Sequence, residues 1–358
     1  EELVVTAGGE VAGRGTQRLD RVNAATFIGP GKARGFAEEC KESGVDTVVF
    51  DEELSPAQGR NLEKVFECKI LDRTALILDI FSQRARTREG KLQVELAQLT
   101  HLLPRLTRFW THLSRQKGGI GMRGGEGESQ LEVDRRKVRE RIDKIQHDLE
   151  LVMRQRSVQR IGRKRNQWPL GSLVGYTNAG KSTLFNALSP SGGRTKVDVA
   201  DQLFSTLDPV TRRIRLPSGG PMLLTDTVGF IQKLSPTVVA AFRATLEELS
   251  ESDLLLHVVD ITHPKSSEQA DVVETTLREL GLEDKPRLLV LNKMDLLPQA
   301  SDESDGSGAP ASLGRQDQNK VFISAAKGWN MDSLLQEIEA QLMAIDKPLL
   351  AVGGSTNY

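Results

Sequence analysis

Residues 175–182 read Gly-Tyr-Thr-Asn-Ala-Gly-Lys-Ser and fit the pattern G-x-x-x-x-G-K-[ST]. An apolar run at 170–174 precedes them, and 183–188 continues as the first turns of a helix. Strand, glycine-rich loop and helix in this order form a phosphate cradle, because backbone N–H groups and the helix N-terminus face the anion. The stretch therefore predicts an α/β domain of the P-loop class.

The residues of this loop are the first candidates for a nucleotide site. Lys181 is placed to reach the β- and γ-phosphates, and the Ser182 hydroxyl is placed to bind Mg²⁺. The candidate nucleotide-binding residues of this segment are Gly175, Tyr176, Thr177, Asn178, Ala179, Gly180, Lys181, Ser182 and Thr183.

Three later segments, each after an apolar run, predict the rest of a guanine-nucleotide site. In the D-x-x-G segment, Asp226 is placed for Mg²⁺ and Gly229 for the γ-phosphate. The N-K-x-D segment ends in Asp295, which would accept hydrogen bonds from guanine N1 and N2 donors that adenine lacks in that arrangement. The further candidates for base contact are Asn292, Lys293, Ser324, Ala325 and Ala326. In this order the motifs predict GTP and GDP as ligands and GTP hydrolysis as the reaction.

The segment between the P-loop and Asp226 should supply a threonine that closes over Mg²⁺ and the γ-phosphate. Thr206 is our choice and Thr211 the alternative, while a hydroxyl that only caps a turn is the simpler interpretation of Thr206. The predicted metal ligands are Ser182, Thr206 and Asp226.

Phe230 follows Gly229, where Ras-like enzymes place a glutamine that orients water. Phenylalanine cannot do this, so unaided hydrolysis should be slow. Asn178 offers one compensation, since an asparagine at this position binds a monovalent cation such as K⁺ in some G proteins. The alternative is that it only braces the loop. The candidate catalytic residues are Lys181, Thr206, Gly229 and Asn178.

A helical region is predicted ahead of this domain. Leucine and tryptophan positions from 92 to 113 step by four and three, and apolar positions from 138 to 152 do the same. Two such seams predict an antiparallel helical hairpin over 91–166, with a bend at Pro104 and a glycine-rich tip loop at 117–128. Arginine and lysine on the returning helix favour binding to a phosphate backbone, although a solvated helix face is the ordinary alternative.

The first ninety or so residues have the pattern of a small α/β domain. We expect strands at 26–28, 46–50 and 68–72, and a helix at 31–42. Ser55, Pro56 and Gln58 predict a capped helix start. The predicted organisation is an α/β N-terminal domain (1–90), the hairpin (91–166), a Ras-like G domain (167–345) and a tail (346–358). Segment 299–320 has few apolar residues and predicts a disordered insertion.

Composition limits the remaining classes. The 358 residues carry a net charge of −1, so attraction to nucleic acid must come from a local patch. No run approaches the roughly 18 to 20 apolar residues that cross a bilayer. Cys40 and Cys68 form no C-x-x-C pair, which disfavours zinc and favours a reducing compartment. We expect a monomer in a bacterial-type cytoplasm, with an organelle as the alternative location.

Taken together, these residues resemble the HflX-type GTPases over nearly the whole chain. Besides the G-domain motifs, the resemblance is carried by Leu54-Ser55-Pro56-Ala57-Gln58, Leu71-Asp72-Arg73-Thr74, Ile80-Phe81-Ser82-Gln83-Arg84-Ala85 and Gly90-Lys91-Leu92-Gln93-Val94-Glu95-Leu96. It implies a GTPase that binds the large ribosomal subunit. The glycine-rich tip would contact ribosomal RNA near the peptidyl-transferase centre, and the GTP state would split stalled or idle ribosomes.

Two alternatives share part of this resemblance: a ribosome-assembly GTPase, and a nucleotide-gated RNA-binding module with incidental hydrolysis. The tip also departs from the family's usual R-G-P-G-E-T-Q. Residues 123–130 read Arg-Gly-Gly-Glu-Gly-Glu-Ser-Gln, without the proline and one residue longer.

Overall fold

The computed structural model describes residues 1–107, 126–165, 168–189, 203–233, 235–297 and 319–345. The chain divides into two compact units. The first comprises Glu1–Val152 with Leu234–Ala241, and the second comprises Met153–Lys233 with Phe242–Tyr358.

The first unit is built around a short parallel pair of strands. Val48 lies opposite Ile70, and a helix connects the two strands, as a parallel pair requires. Its elements up to Thr107 are α1 (Glu2–Thr6), α2 (Pro30–Glu42), β1 (Thr47–Phe50), α3 (Pro56–Phe66), β2 (Lys69–Asp72), α4 (Arg73–Arg84), α5 (Arg88–Leu102) and a 3₁₀ helix (Leu103–Thr107).

Local sequence signals explain two outcomes in this unit. Ser55 Oγ accepts from the Gln58 N–H at 3.2 Å and Gln58 Oε1 accepts from the Ser55 N–H at 2.9 Å, so the predicted capping box starts α3. The predicted strand at 26–28 is wrong. Asn23 Oδ1 accepts the N–H groups of Ala25 and Thr26, and this side-chain turn overrides the β-forming residues around it.

Helix α4 is the centre of the first unit's packing, with Ile77, Leu78, Ile80 and Phe81 almost wholly buried. One helix that packs against α4 and α5 comes from far along the chain. This is α8 (Pro236–Ala241), which follows the D-x-x-G motif in sequence but belongs to the first unit. The Thr74 and Ser235 hydroxyls lie 3.0 Å apart at its start.

The helical region differs from its prediction in one arm. Helix α5 ends at Leu102, and Pro104 lies in the 3₁₀ helix rather than in a bent continuation, because proline lacks the N–H and crowds the preceding turn. Helix α6 (Glu126–Arg165) is 40 residues long and takes in 126–128, which were expected in the tip loop. Residues 108–125 lie outside the described part of the chain.

Arg141 on α6 makes a two-pronged ion pair with Glu95 on α5, at 2.7 and 2.9 Å. Of the predicted seam positions on α6, Ile145 and Leu149 are buried. The antiparallel pairing of two full arms remains a prediction.

The second unit contains a six-stranded sheet in the order β4-β5-β3-β6-β7-β8. Strand β4 is antiparallel to β5, and the other pairs are parallel. The strands are β3 (Leu170–Gly175), β4 (Val210–Arg215), β5 (Pro221–Asp226), β6 (Leu254–Asp260), β7 (Arg287–Asn292) and β8 (Lys320–Phe322). The helices are α7 (Lys181–Leu188), α9 (Arg243–Glu251), α10 (Ser266–Glu279), α11 (Met331–Ala344) and a 3₁₀ turn (Met294–Leu296).

This sheet confirms the predicted P-loop α/β class and brings the motifs together. Because β3, β5 and β7 are parallel, the loops that follow them share one edge of the sheet, where open α/β sheets bind ligands. Of the predicted insertion 299–320, only 319 and 320 are described, and Lys320 begins β8. Within the described ranges, no helix has the length and apolar character needed to cross a membrane.

Candidate nucleotide-binding site

The loop after β3 adopts a conformation that requires glycine at two positions. Gly180 has φ +91°, and a Cβ there would lie 2.3 Å from Asn292 Nδ2. At Gly175, a Cβ would lie 2.3 Å from the Val258 carbonyl oxygen. Any larger residue would force apart the loop and its neighbouring strands. Helix α7 then begins at Lys181, so its N-terminal N–H groups end at this loop.

Lys181 is buried inside the loop. Its Nζ donates to the carbonyl oxygens of Gly175 at 3.1 Å and Tyr176 at 2.7 Å. Burial lowers the pKa of Lys181 to about 8, although the charge of Asp226 acts in the opposite direction. An anion in the cleft would raise this pKa and favour the charged form, because it supplies the compensation that water no longer gives.

Three predicted metal ligands meet at one point. Ser182 Oγ donates to Asp226 Oδ2 at 2.7 Å, Thr206 Oγ1 donates to the same oxygen at 3.0 Å, and the two hydroxyls lie 2.9 Å apart. Thr211, the alternative to Thr206, lies in β4 and pairs with the Thr225 hydroxyl at 2.9 Å. The geometry therefore favours Thr206.

Asp226 is fully buried, and its Oδ1 has no hydrogen-bond partner among the described residues. Burial raises the pKa of this carboxyl, and the opposing influence of Ser182, Lys181 and Thr206 does not cancel the effect. A buried carboxylate left with an unmatched oxygen is costly unless a cation is supplied.

These residues fit Mg²⁺. The donors are all oxygen atoms, and a single carboxylate with two hydroxyls leaves room for the waters and phosphate oxygens that Mg²⁺ retains. In the part of the chain that the structure describes, no group of three or more His, Cys, Asp and Glu side chains converges to form another metal site.

The D-x-x-G segment is held directly against the P-loop by its backbone. The Thr177 N–H donates to the Phe230 carbonyl at 2.8 Å, and the Phe230 N–H donates to the Gly175 carbonyl at 3.0 Å. A Cβ on Gly229 would lie 2.8 Å from Thr177 Cα and 3.0 Å from Lys181 Nζ. Phe230 itself is buried. Sequence reasoning missed this pairing, because a backbone contact between distant segments has no residue signature.

A cleft lies at this edge of the sheet. It is lined by Thr177, Asn178, Gly180, Lys181, Ser182, Thr183, Phe204, Ser205, Thr206, Thr227 and Gly229. Phe204, Ser205 and Thr227 were not among the predicted site residues, although each lies next to or two positions from one that was. The buried Thr177 hydroxyl has no partner among the described residues, so this cleft offers a hydroxyl to a ligand.

Asn292 joins the P-loop to the segment after β8. Its Nδ2 donates to the Ala179 carbonyl at 2.9 Å, and its Oδ1 accepts from the Ala325 N–H at 3.0 Å. The Ser324 N–H donates to the Trp329 carbonyl at 3.3 Å. Within the predicted trio, the Ser324 and Ala325 N–H groups therefore donate to other atoms of the chain.

The rest of the N-K-x-D segment turns tightly after β7. Lys293 has a left-handed backbone with φ 68°, and its Nζ lies 2.7 Å from Asp260 Oδ2. Asp295 is half-buried in the 3₁₀ turn that follows. Neither residue lines the phosphate cleft. Their segment contacts the P-loop through the hydrogen bond from Asn292 to the Ala179 carbonyl.

The asparagine of the N-K-x-D motif hydrogen-bonds both the phosphate loop and the segment after β8, which is the arrangement of a guanine-nucleotide site. This arrangement defines the class: the chain is a P-loop GTPase. Three family models match it. They are described as GTP-binding GTPase N-terminal (residues 1–82), GTP-binding GTPase Middle Region (84–163) and 50S ribosome-binding GTPase (171–293).

Relatives identify the family within that class. The chain is 49% identical to the GTPase HflX of Escherichia coli K12 over 345 residues, covering 96% of this chain and 78% of that protein. It is 48% identical to the GTPase HflX of Caldanaerobacter subterraneus subsp. tengcongensis, covering 96% and 76%. This chain belongs to the HflX family of GTPases.

Among solved structures, a GTP-binding protein from Sulfolobus solfataricus in complex with GDP is 25% identical. The match covers 96% of this chain and 94% of that one, with a TM-score of 0.45.

Proposed function

We propose that this GTPase couples GTP turnover to binding of the large ribosomal subunit, and that it splits or rescues stalled or idle ribosomes. The supporting comparison is the match of 171–293 to a family described as a 50S ribosome-binding GTPase. The relatives' shared family makes GTP the substrate, and the basic surface of α6 is the feature of this chain that suits ribosomal RNA.

Helix α6 carries two basic stretches, at 135–144 and 154–165, and the structure describes the exposed side chains of the first. Arg136 pairs with Glu140, and Arg141 pairs with Glu95, so these two guanidinium groups are partly compensated. Lys137, Arg139 and Lys144 are exposed on the same helix. Such residues bind phosphate backbones through charge and shape, and α6 carries no Phe, Tyr or Trp on which bases could stack.

Within the site, each proposed role follows from a contact described above. The buried Lys181 ammonium would neutralise the β- and γ-phosphates. Ser182, Thr206 and Asp226 would hold Mg²⁺, which neutralises charge on the phosphate oxygens when bound. Gly229 keeps the D-x-x-G backbone close to Lys181 Nζ, where no side chain fits.

None of these groups orients the attacking water, and Phe230 is buried. We therefore propose that the ribosomal subunit completes the site. The decisive experiment is GTP turnover measured with and without purified large ribosomal subunits. We expect strong stimulation by large subunits and little by small ones. Equal turnover under all conditions would contradict the coupling while leaving the GTPase itself intact.

A charge reversal tests the proposed surface. The double variant Lys137→Glu/Arg139→Glu should lose most of the stimulation at physiological salt while its unstimulated turnover stays unchanged. Lys41→Glu/Lys64→Glu, with the same charge change at exposed positions of α2 and α3, is the matched control. If both double variants lose stimulation equally, net charge rather than α6 is responsible.

Two more measurements separate the remaining assignments. Turnover in K⁺ against Na⁺ distinguishes the two roles of Asn178: faster turnover in K⁺ assigns it to a cation, and equal rates assign it to bracing the loop.

Deleting residues 118–127 should abolish stimulation and leave GTP affinity intact. Loss of nucleotide binding in that deletion would refute the modular arrangement.

A further inference from the structure

Asp260 is an acidic residue at the nucleotide end of the sheet to which the motifs assign no role. It ends β6 and lies opposite Asn292, the last residue of β7, in the parallel register. Its Oδ2 forms an ion pair with Lys293 Nζ at 2.7 Å. The Asp260 and Lys293 side chains are 13% and 26% exposed, so both are largely withdrawn from water.

The Asp260 carboxylate is itself held in place. Oδ1 accepts from the Thr262 N–H at 3.0 Å and from the Thr262 hydroxyl at 2.6 Å, while Oδ2 faces Lys293. Burial alone would raise the pKa of Asp260, but the hydrogen bonds from Lys293 and Thr262 outweigh it and lower the pKa. The carboxylate is therefore ionised and oriented without any ligand.

Lys293 has an unusual backbone for a lysine. Its φ of 68° is a left-handed conformation that residues other than glycine adopt rarely and at a cost. Lys293 lies between Asn292, which braces the P-loop, and Asp295, two residues further on, which is assigned to the guanine base. A strained backbone between two such residues is expected at a ligand site rather than at an ordinary strand end.

We infer that Asp260 is a positioning residue for the guanine nucleotide: it fixes the Lys293 side chain before the ligand arrives, and Thr262 fixes Asp260. The inference rests on the assignment of Asn292–Asp295 to the base. Lysine has large rotamer freedom, and a lysine that is already ordered loses less entropy when the nucleotide binds. The simpler role, an ion pair that only joins two strand ends, would act on stability and not on affinity.

A double-mutant cycle distinguishes these roles. The measurements are GDP affinity by calorimetry and thermal unfolding of the nucleotide-free protein, for Asp260→Asn, Lys293→Met and the combined variant. We expect Asp260→Asn to weaken GDP binding by about tenfold with little change in Tm. The combined variant should bind GDP no more weakly than Lys293→Met alone, because Asp260 acts through that lysine.

Thr262 supplies a second, milder variant should Asp260→Asn fold poorly. Thr262→Val removes the hydroxyl at nearly constant volume and should weaken GDP binding by about threefold. Thr262→Ser keeps the hydroxyl and should bind as the wild type does.

Three results would overturn the inference. One is additive losses in the cycle, another is an unchanged affinity with a lowered Tm, and the third is equal behaviour of Thr262→Val and Thr262→Ser. Failure of the underlying assignment would appear separately. In that case Asp295→Ala, which removes the proposed base acceptor, would leave GDP affinity at the wild-type value. That result would refute both the assignment of Asn292–Asp295 to the base and the role of Asp260.

Discussion

Asp72 in the first unit and Asp226 in the second are both buried carboxylates at the end of a β-strand, and their surroundings differ. Asp72 is met by Arg105 at 2.6 Å, His101 at 3.3 Å and the Ala75 N–H at 2.8 Å. Asp226 is met by hydroxyl groups at Oδ2, and its Oδ1 has no partner among the described residues.

The two pKa values accordingly shift in opposite directions. Burial acts to raise both, but the hydrogen bonds and charges of His101, Ala75 and Arg105 outweigh it at Asp72, whose pKa is lowered. At Asp226 burial prevails and the pKa is raised. A carboxylate that the chain neutralises completely serves the fold. One that it neutralises incompletely is left for a ligand cation to complete.

The largest effect should come from removing the Asp226 charge, which the chain neutralises incompletely. Asp226→Asn should lower GTP turnover by at least about a hundredfold, because the phosphate charge is then poorly neutralised. The Tm of the nucleotide-free variant should not fall, since asparagine keeps the shape and removes an unmatched buried charge. Turnover and thermal unfolding measure the two effects. A variant that is less stable but fully active would reverse the contrast with Asp72.

Asp72→Asn should show the opposite pattern. The free energy of unfolding of the first unit should fall by about 3 kcal/mol, because Arg105 loses its buried partner. GDP affinity should be unchanged. Hydrogen exchange in α4 and α5 under denaturant reports the first quantity, and calorimetry reports the second.

The stability difference between wild type and Asp72→Asn should depend on pH, because the pKa of Asp72 is lowered. The ordinary pKa is 3.8, and the folded value is lower. Asp72 therefore contributes stability above the ordinary value, and the contribution is lost as pH falls through the folded value. The stability gap between wild type and Asp72→Asn should be constant near neutrality and close in acid. A gap that does not change with pH would contradict the charge-based explanation.

The smallest expected effect concerns the buried lysine beside Asp226. Lys181 has a pKa of about 8 without ligand. A bound phosphate favours the charged form, so binding above this pH must take up a proton. GDP affinity should be about fourfold weaker at pH 8.5 than at pH 7. Lys181→Met should bind more weakly and show no such slope. An equal slope in both proteins would assign the titration to another group.

The nucleotide motifs were predictable, because each requires particular residue types at fixed spacing after a strand. The capping box of α3 was predictable for the same reason. The strand expected at 26–28 was wrong, since propensity could not show that Asn23 would capture the backbone first. The end of α5 was misjudged because apolar periodicity continues through Pro104 although the α-helix does not.

Other parts of the site depend on contacts that residue types do not encode. The pairing of Phe230 with the P-loop is made by backbone atoms alone. Asp260 is an isolated acidic residue after an apolar strand, which is too common a pattern to single out. Its relation to Lys293 becomes visible only when β6 and β7 are placed side by side.

Helix α8 has a consequence for synthesis on the ribosome. The first unit is discontinuous, and its last piece, Leu234–Ala241, follows most of the P-loop half of the second unit along the chain. At about 5–20 residues per second, that piece emerges several seconds after Val152. Until then α4 and α5 lack α8, whose Val238 is buried in the complete first unit. The two units therefore cannot mature strictly one after the other, and the nascent chain must keep an apolar helix face protected while the nucleotide loop is being made.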